Sequence, residues 1–594
     1  MIRRPLRPLA RILPARMRGE NTAAIERENL RQRHEQMRDK ARLRAEGRLL
    51  VLGLLFFCAF VTIGGRMATM ASSPAEEPQA AAAGSPIISQ RADITDREGR
   101  LLATNIDTYA LYAQPPQMID PEHSARELAR IFPELDEEEL LADFTGPRRF
   151  LWIRRTLSPE QRQAVFDIGD PGLLFGPREM RLYPNGPIAA HILGGASYGR
   201  EGVSSAEVIG VAGVERQFDQ YLRDPANEGA PLELSLDLSV QAALEDVLSN
   251  GMDFMNARGA AGILMDAHSG EIVAMASLPD FDPNNRPRPL TQGHPGDSPL
   301  FNRSVQGVYE LGSVFKIFAV AQALELGLVN PQTMIETQGP LTWGRFRIRD
   351  MHHMPPEMTV SDVIVESSNV GTSRIAMMLG GERQRQFLDQ LGLLEPTGVE
   401  MIEAPTGRPL LPANWSEIST MTISYGHGLS VSPLHLAAAY ATIANGGRRV
   451  TPTLQHSATH PEGTRVMSEE TAAQARSMLR QVVTQGTASL AEVEGYEVGG
   501  KTGSADKPKE NGGGYYNDRT IGTFAGMFPA SDPRYVIVIT LDEPVETTGS
   551  QPRRTAGWTA VPVAAEVIRR TAPLLGMRPL VDDGGDAGVV LASQ

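Results

Sequence analysis

Leu49 to Gly65 is an apolar run broken only by Thr62, and it restricts everything around it. Its 17 residues stand at the short end of what crosses a bilayer as a helix. Arg48 and Arg66 flank it, where long side chains snorkel to the interfaces. The run divides a chain of 594 residues and net charge -14 into unlike parts. Residues 1–48 hold 14 Arg or Lys against 6 Asp or Glu, a net of +8, so the remainder carries -22. A basic stretch suggests nucleic acid in other settings. Directly ahead of an apolar span it reads as a cytoplasmic tail by the positive-inside rule, and the acidic remainder is then expected outside the cytoplasm. A cleaved signal peptide is disfavoured, because the leader is far longer than a normal n-region and no clean A-x-A site follows. The single cysteine, Cys58, lies within the run. The exported part therefore has no disulfide and no cysteine-based metal site, and it must gain stability from core size.

The length requires two or more domains. Residues 1–48 form a basic tail whose start, with Pro5, Pro8 and Pro14, is expected to be disordered; 21–48 reads as a solvated helix. After the span, 67–86 is an Ala-, Ser- and Pro-rich linker. A first external module is expected over 87–228. It opens with two short strands around a turn at Arg97 to Arg100, and helical patterns follow near Ser124 to Ile131 and Pro159 to Ile168. The second module, 229–577, starts with strand-like Leu232 to Leu236 and an amphipathic helix over Ser239 to Met252. Apolar runs on either side of His268-Ser269-Gly270 predict one β-hairpin, and those bracketing Ser531 to Arg534 predict another. A buried helix is expected over Leu311 to Leu328 and a closing helix over Thr559 to Leu575. This order predicts an α+β fold, an antiparallel sheet with helices on both faces. Residues 578–594 read as a flexible tail.

Three motifs stand in order in the second module: Ser313-Val314-Phe315-Lys316, Ser367-Ser368-Asn369 and Lys501-Thr502-Gly503. S-x-x-K, S-x-N and K-T-G together point to acyl transfer through an acyl-serine. Lysine occurs at only five positions, Lys40, Lys316, Lys501, Lys507 and Lys509, and two lie inside the motifs. Every other basic residue is Arg, which does not deprotonate in proteins, whereas a general base must. Ser313 and Lys316, three residues apart on a helix, share one face. Burial and a helix N-terminus are both expected to lower the Lys316 pKa, leaving a neutral amine as base toward Ser313. Ser367 is placed to relay a proton to the leaving amine, and Asn369 to hold a substrate amide while bonding Lys316. Lys501 and Thr502 suit a substrate carboxylate, and Gly503 suits close approach of a substrate backbone to a strand edge. The backbone N–H groups of Ser313 and Ser504 form the expected oxyanion hole. His352 and His353 adjoin, which is not a metal spacing, and suit a loop at the substrate rim. His191 and His427 read as structural and Asp266 as a turn residue. No G-x-x-x-x-G-K-[ST] or H-E-x-x-H occurs, so nucleotide and zinc-protease readings have no support.

With these motifs in place the chain resembles the class B penicillin-binding proteins, membrane-anchored peptidoglycan D,D-transpeptidases. The likeness runs from Arg91 to Met577. It includes Arg91 to Ala103, Arg181 to Glu215, Asn302-Arg303 with Tyr309 to Gly312, and Ser424 to Pro433. Tyr535 to Pro544 and Thr559 to Val563 favour the cell-division (FtsI) type. The resemblance implies a single transmembrane helix at 49–66, a mixed pedestal (dimerisation-like) module and a penicillin-binding, serine β-lactamase-like transpeptidase domain. It implies that Ser313 attacks the penultimate D-Ala carbonyl of a pentapeptide donor, and that a side-chain amine of a neighbouring stem completes the cross-link. It implies acylation by β-lactam antibiotics, no cofactor, no nucleic acid, and an FtsW-type septal glycosyltransferase among other division proteins as partners. The expected location is the bacterial inner membrane at the septum, with the catalytic domain periplasmic. An elongation-type transpeptidase and a partner-binding division scaffold are the alternatives. A β-lactamase is disfavoured because no E-x-x-L-N segment supplies its deacylating water. The family commonly has Thr after K-T-G; here Ser504 keeps the backbone donor and puts the hydroxyl contact in question.

Overall fold

Apolar residues run unbroken over 259–265, 272–276 and 535–539 with no polar alternation, the pattern of strands covered on both faces. In the computed structural model these are strands Gly259–Asp266, Ile272–Leu278 and Tyr535–Asp542, almost every residue of which is buried. The structure describes residues 9–29, 31, 35, 37, 52–64, 91–198, 208–509 and 513–580. It divides into two units, Met1–Ile88 and Ser89–Gln594.

In the first unit Leu9–Met17 is a helix despite Pro14, where the sequence predicted disorder; residues 22–29 and 52–64 are also helical. Thirteen helical residues rise about 20 Å, short of a hydrocarbon core of about 30 Å. Among the described residues no helix is long and apolar enough to cross a membrane. Leu49, Leu50, Val51 and Gly65, which complete the apolar run, lie outside the described residues, as do the linker at 67–86 and most of the tail at 578–594.

In the second unit the three buried strands join Gly499–Pro508 and Tyr515–Phe528 in one five-stranded antiparallel sheet. Both predicted hairpins form: Asp266 caps the first turn by accepting from the N–H groups of His268 and Ser269, each at 2.9 Å. Helices Leu238–Phe254 and Ala560–Leu574 pack together on one face, and the wholly buried Pro433–Ala444 packs on the other with Glu469–Gln485. Gly499–Pro508 is the edge strand.

Ahead of this sheet, Ile94–Thr95 pairs antiparallel with the long strand Leu101–Ala113 and parallel with Leu232–Glu233. Leu101–Ala113 also pairs with Leu151–Leu157 and Leu173–Leu182. The predicted helices at 121–131 and 159–168 are present, and the structure adds Glu137–Thr145. A small apolar core around Leu111, Leu128 and Phe144 fills this head. Nearer the large sheet, Ile94, Leu102, Val214 and Leu222 belong to the same core as the sheet itself.

Candidate active site

The segment carrying Ser313 is not the N-terminus of one long helix. Gly312–Phe315 is a 3-10 turn and the α-helix runs only over Lys316–Glu325. A three-residue period eclipses positions i and i+3, so Ser313 and Lys316 share a face more closely than in an α-helix. Tyr440 holds the turn by donating from its hydroxyl to the Val314 carbonyl at 2.9 Å. Gly312 has φ +65, and a Cβ there would stand 2.8 Å from the Ser504 carbonyl oxygen. Only glycine permits both the left-handed turn and the contact with the edge strand. Gly503 meets the turn from the other side: a Cβ at that position would lie 2.1 Å from the Leu311 carbonyl oxygen. Its missing side chain admits the backbone of the nucleophile's own segment.

Ser367 stands at φ 65, a left-handed conformation that costs a non-glycine residue roughly 1–2 kcal/mol. Ser368 caps the helix Asn369–Leu379 by accepting from Gly371 N–H at 2.9 Å. The Asp350 carboxylate fixes the same helix start, accepting from the Ser368 hydroxyl at 3.1 Å and the Val370 N–H at 3.2 Å, and also from the Asn369 N–H. Asn369 donates from its amide to the Arg349 carbonyl at 2.9 Å. Its expected bond to Lys316 is not formed, because the helix start turns its amide toward the 349–350 loop.

Both lysines are fully buried, and their amines converge on one hydroxyl. Lys316 Nζ donates to Ser367 Oγ at 3.0 Å and to the Ser367 carbonyl. Lys501 Nζ donates to the same Oγ at 3.0 Å and to the Thr502 carbonyl at 3.2 Å. Burial pushes the Lys316 pKa well below the ordinary lysine value; the Lys501 charge adds to this and Asp350 opposes it. Burial alone pushes Lys501 down to about 7. Two ammonium charges beside one hydroxyl in a dry site repel, so the pair sheds a proton easily. The expected fall in the Lys316 pKa thus has burial as its largest cause, with the second lysine adding to it.

Ser313, Ser367, Asn369, Thr502 and Ser504 line one cleft of about 560 Å³, while Lys316 and Lys501 form its buried backing. Thr502 shares a hydrogen bond with Thr487 at 2.8 Å. The Ser504 hydroxyl accepts from Ala556 N–H at 2.9 Å. His352 and His427 also line the cleft, whereas His191 is buried elsewhere against the Pro299 carbonyl at 2.8 Å. The sequence reading missed Asp350, Thr487 and the aromatic wall supplied by Trp558. Nothing local marks them, because each joins the site only when separate segments of the chain fold together. A hydroxyl at the cleft surface and a deprotonable amine behind it are parts that nucleophilic acyl transfer needs.

The penicillin binding protein transpeptidase domain family matches residues 260–568, and the penicillin-binding protein dimerisation domain matches 86–228. The chain is 36% identical to a probable peptidoglycan D,D-transpeptidase FtsI of Caulobacter vibrioides, over 89% of this chain and 88% of that one. It is 28% identical to the peptidoglycan D,D-transpeptidase FtsI of Escherichia coli, over 77% and 80%. Among solved structures, penicillin binding protein 3 of Mycobacterium tuberculosis in complex with aztreonam superposes with a TM-score of 0.62 at 26% identity, covering 83% of this chain and 97% of that one.

Proposed function

This chain belongs to the penicillin-binding peptidoglycan D,D-transpeptidases of the cell-division FtsI type, and from that premise we propose that it cross-links stem peptides at the septum through an acyl-Ser313 intermediate. The observation that carries the assignment is the Ser367 hydroxyl held at 3.0 Å from both buried amines, in the cleft that Ser313 lines. Neutral Lys316 takes the Ser313 proton as Oγ attacks the penultimate D-Ala carbonyl. The backbone N–H groups of Ser313 and Ser504 receive the oxyanion. The C–N bond then breaks, and the proton passes through Ser367 to the departing D-Ala amine. The acceptor amine attacks the acyl-serine, forms the new amide and returns a proton to Ser313 Oγ through the same groups. Charged Lys501 and the Thr502 hydroxyl orient the substrate carboxylate, and Asn369 faces the peptide amide. β-Lactams acylate the same serine.

The fuller reading divides the chain into a cytoplasmic tail (1–48), a membrane span (49–66), a linker (67–86), a pedestal (87–228), a transpeptidase domain (229–577) and a tail (578–594). It places catalysis in the periplasm beside an FtsW-type glycosyltransferase. The apolar run and the basic residues before it support that orientation. Full-length protein should form a stable adduct with a fluorescent penicillin, and Ser313→Ala should abolish it. Undiminished labelling of that variant refutes the site assignment.

A further inference from the structure

Part of the apolar surface beside the cleft does nothing for the fold. Strands Leu341–Trp343 and Phe346–Ile348 form a hairpin closed by Gly344 and Arg345. Gly344 stands at φ +57, as the first position of a tight two-residue turn requires. The register pairs Leu341 with Ile348 and Trp343 with Phe346, so by the two-residue period these four side chains share one face. The inner pair serves folding: Ile348 is 5% exposed and clusters with Val370 and Met421, and Leu341 packs against them. The outer pair does not, with Trp343 39% and Phe346 44% exposed. Arg345 lies over the Phe346 ring, 5.2 Å from its centroid. Single exposed apolar residues are ordinary, whereas two large rings opposed at one tip form a patch, and patches mark contact surfaces.

The hairpin is continuous with the wall of the cleft. Directly after Ile348, the Arg349 carbonyl accepts from the Asn369 amide at 2.9 Å, and Asp350 accepts from Ser368 at 3.1 Å and Val370 at 3.2 Å. Met351, 79% exposed, and His352 then line the cleft. Phe346 precedes Met351 by five residues, so at about 3.3 Å per residue the tip stands at most about 17 Å from the cleft wall. A stem of roughly three to five extended residues spans about 10–17 Å at the same rise. With one end of a stem reacting in the cleft, the sugar at its other end comes within reach of the tip. A pyranose ring suits what stands there. Its axial C–H bonds form an apolar face that stacks on the negative face of an aromatic ring, and its hydroxyl and acetamido oxygens accept from a guanidinium such as that of Arg345. Resting on the transpeptidase reading above, we propose that the Trp343–Phe346 hairpin is a glycan-binding arm, holding the sugar strand that bears a stem peptide outside the cleft and next to its wall.

The test titrates full-length enzyme in detergent with peptide-free glycan strands, released from cell wall by an amidase, and reads binding by calorimetry. Wild-type enzyme should bind them, and enzyme already acylated by penicillin should bind them equally well, because the arm lies outside the cleft. Replacing both rings, Trp343→Ser with Phe346→Ser, should weaken binding by about tenfold, while Trp343→Tyr, which keeps a ring, should retain most of it. No binding by wild-type enzyme overturns the arm, and that result depends on no variant's folding. Binding that penicillin acylation abolishes, or that the double variant keeps in full, overturns it by placing the strand elsewhere. A wild-type dimer in light scattering that the double variant fails to form overturns it in favour of a second copy as the occupant. Penicillin acylation of wild-type enzyme reports on the catalytic reading separately: its failure sinks that reading, whereas strand binding is measured without it.

Discussion

Two buried groups of cations in this molecule meet opposite surroundings. In the pedestal, Arg91 and Arg181 are 3% and 7% exposed. Arg91 pairs with Glu215 at 2.6 Å and Asp219 at 2.7 Å, and Arg181 with Glu215 at 2.7 Å. In the cleft, Lys316 and Lys501 are just as buried but share a neutral hydroxyl, and no ion pair to a carboxylate forms there among the described residues. Burial is common to both. Chemistry separates them: a guanidinium keeps its proton and therefore needs anions, whereas an unmatched ammonium yields its proton and becomes a base. The pedestal cluster ties distant segments together, and the cleft pair converts the cost of burial into reactivity.

The comparison breaks most directly at Lys316. Lys316→Ala should lower the rate of penicillin acylation by about 10²–10⁴-fold, the range of a lost general base, with the fold intact by circular dichroism. A loss below tenfold would remove Lys316 from the base role. Glu215→Gln should do the reverse, leaving two buried guanidinium groups short of an anion. Breaking a buried pair costs about 3–5 kcal/mol, to be read as a drop in the urea midpoint. An unchanged midpoint would mean the cluster is not holding the pedestal.

A pH series sharpens the contrast further. Acylation should slow as pH falls and the base Lys316, its pKa lowered by burial and by the Lys501 charge, regains its proton. The stability sign follows from proton counts. Between the lowered folded pKa of Lys501, about 7, and the unfolded value of about 10.4, the unfolded chain binds more protons, so stability rises with pH across that window. Lys501→Met should flatten the rise; a parallel rise in that variant would assign it to other groups. The smallest effect is expected from Thr487→Val, which removes the 2.8 Å bond to Thr502. One neutral hydrogen bond contributes about 0.5–1.5 kcal/mol, so acylation should fall only a few-fold.

Much of the fold was legible because it is written locally. The continuous apolar segments at 259–265, 272–276 and 535–539 announce covered strands, and the turn residues at 268–270 and 531–534 announce hairpins. The motif residues Ser313, Ser367 and Lys501 were legible as well, since S-x-x-K, S-x-N and K-T-G are short and ordered. Their arrangement was not. Asn369 turns to Arg349, Gly503 faces Leu311 and Ser367 takes both amines, because each of these outcomes depends on segments that meet only in the folded chain. Asp350 and Thr487 carry no local signal, for the same reason.

Residue type and spacing by themselves determined which groups can do chemistry here: a hydroxyl three positions from one of very few deprotonable amines, and glycines where backbones must touch. Only the tertiary structure decided how that chemistry is tuned. The side-chain period is a local property of the chain, whereas burial, shared hydrogen bonds and the repulsion between Lys316 and Lys501 arise when strands and helices distant in sequence close on the same few cubic ångströms.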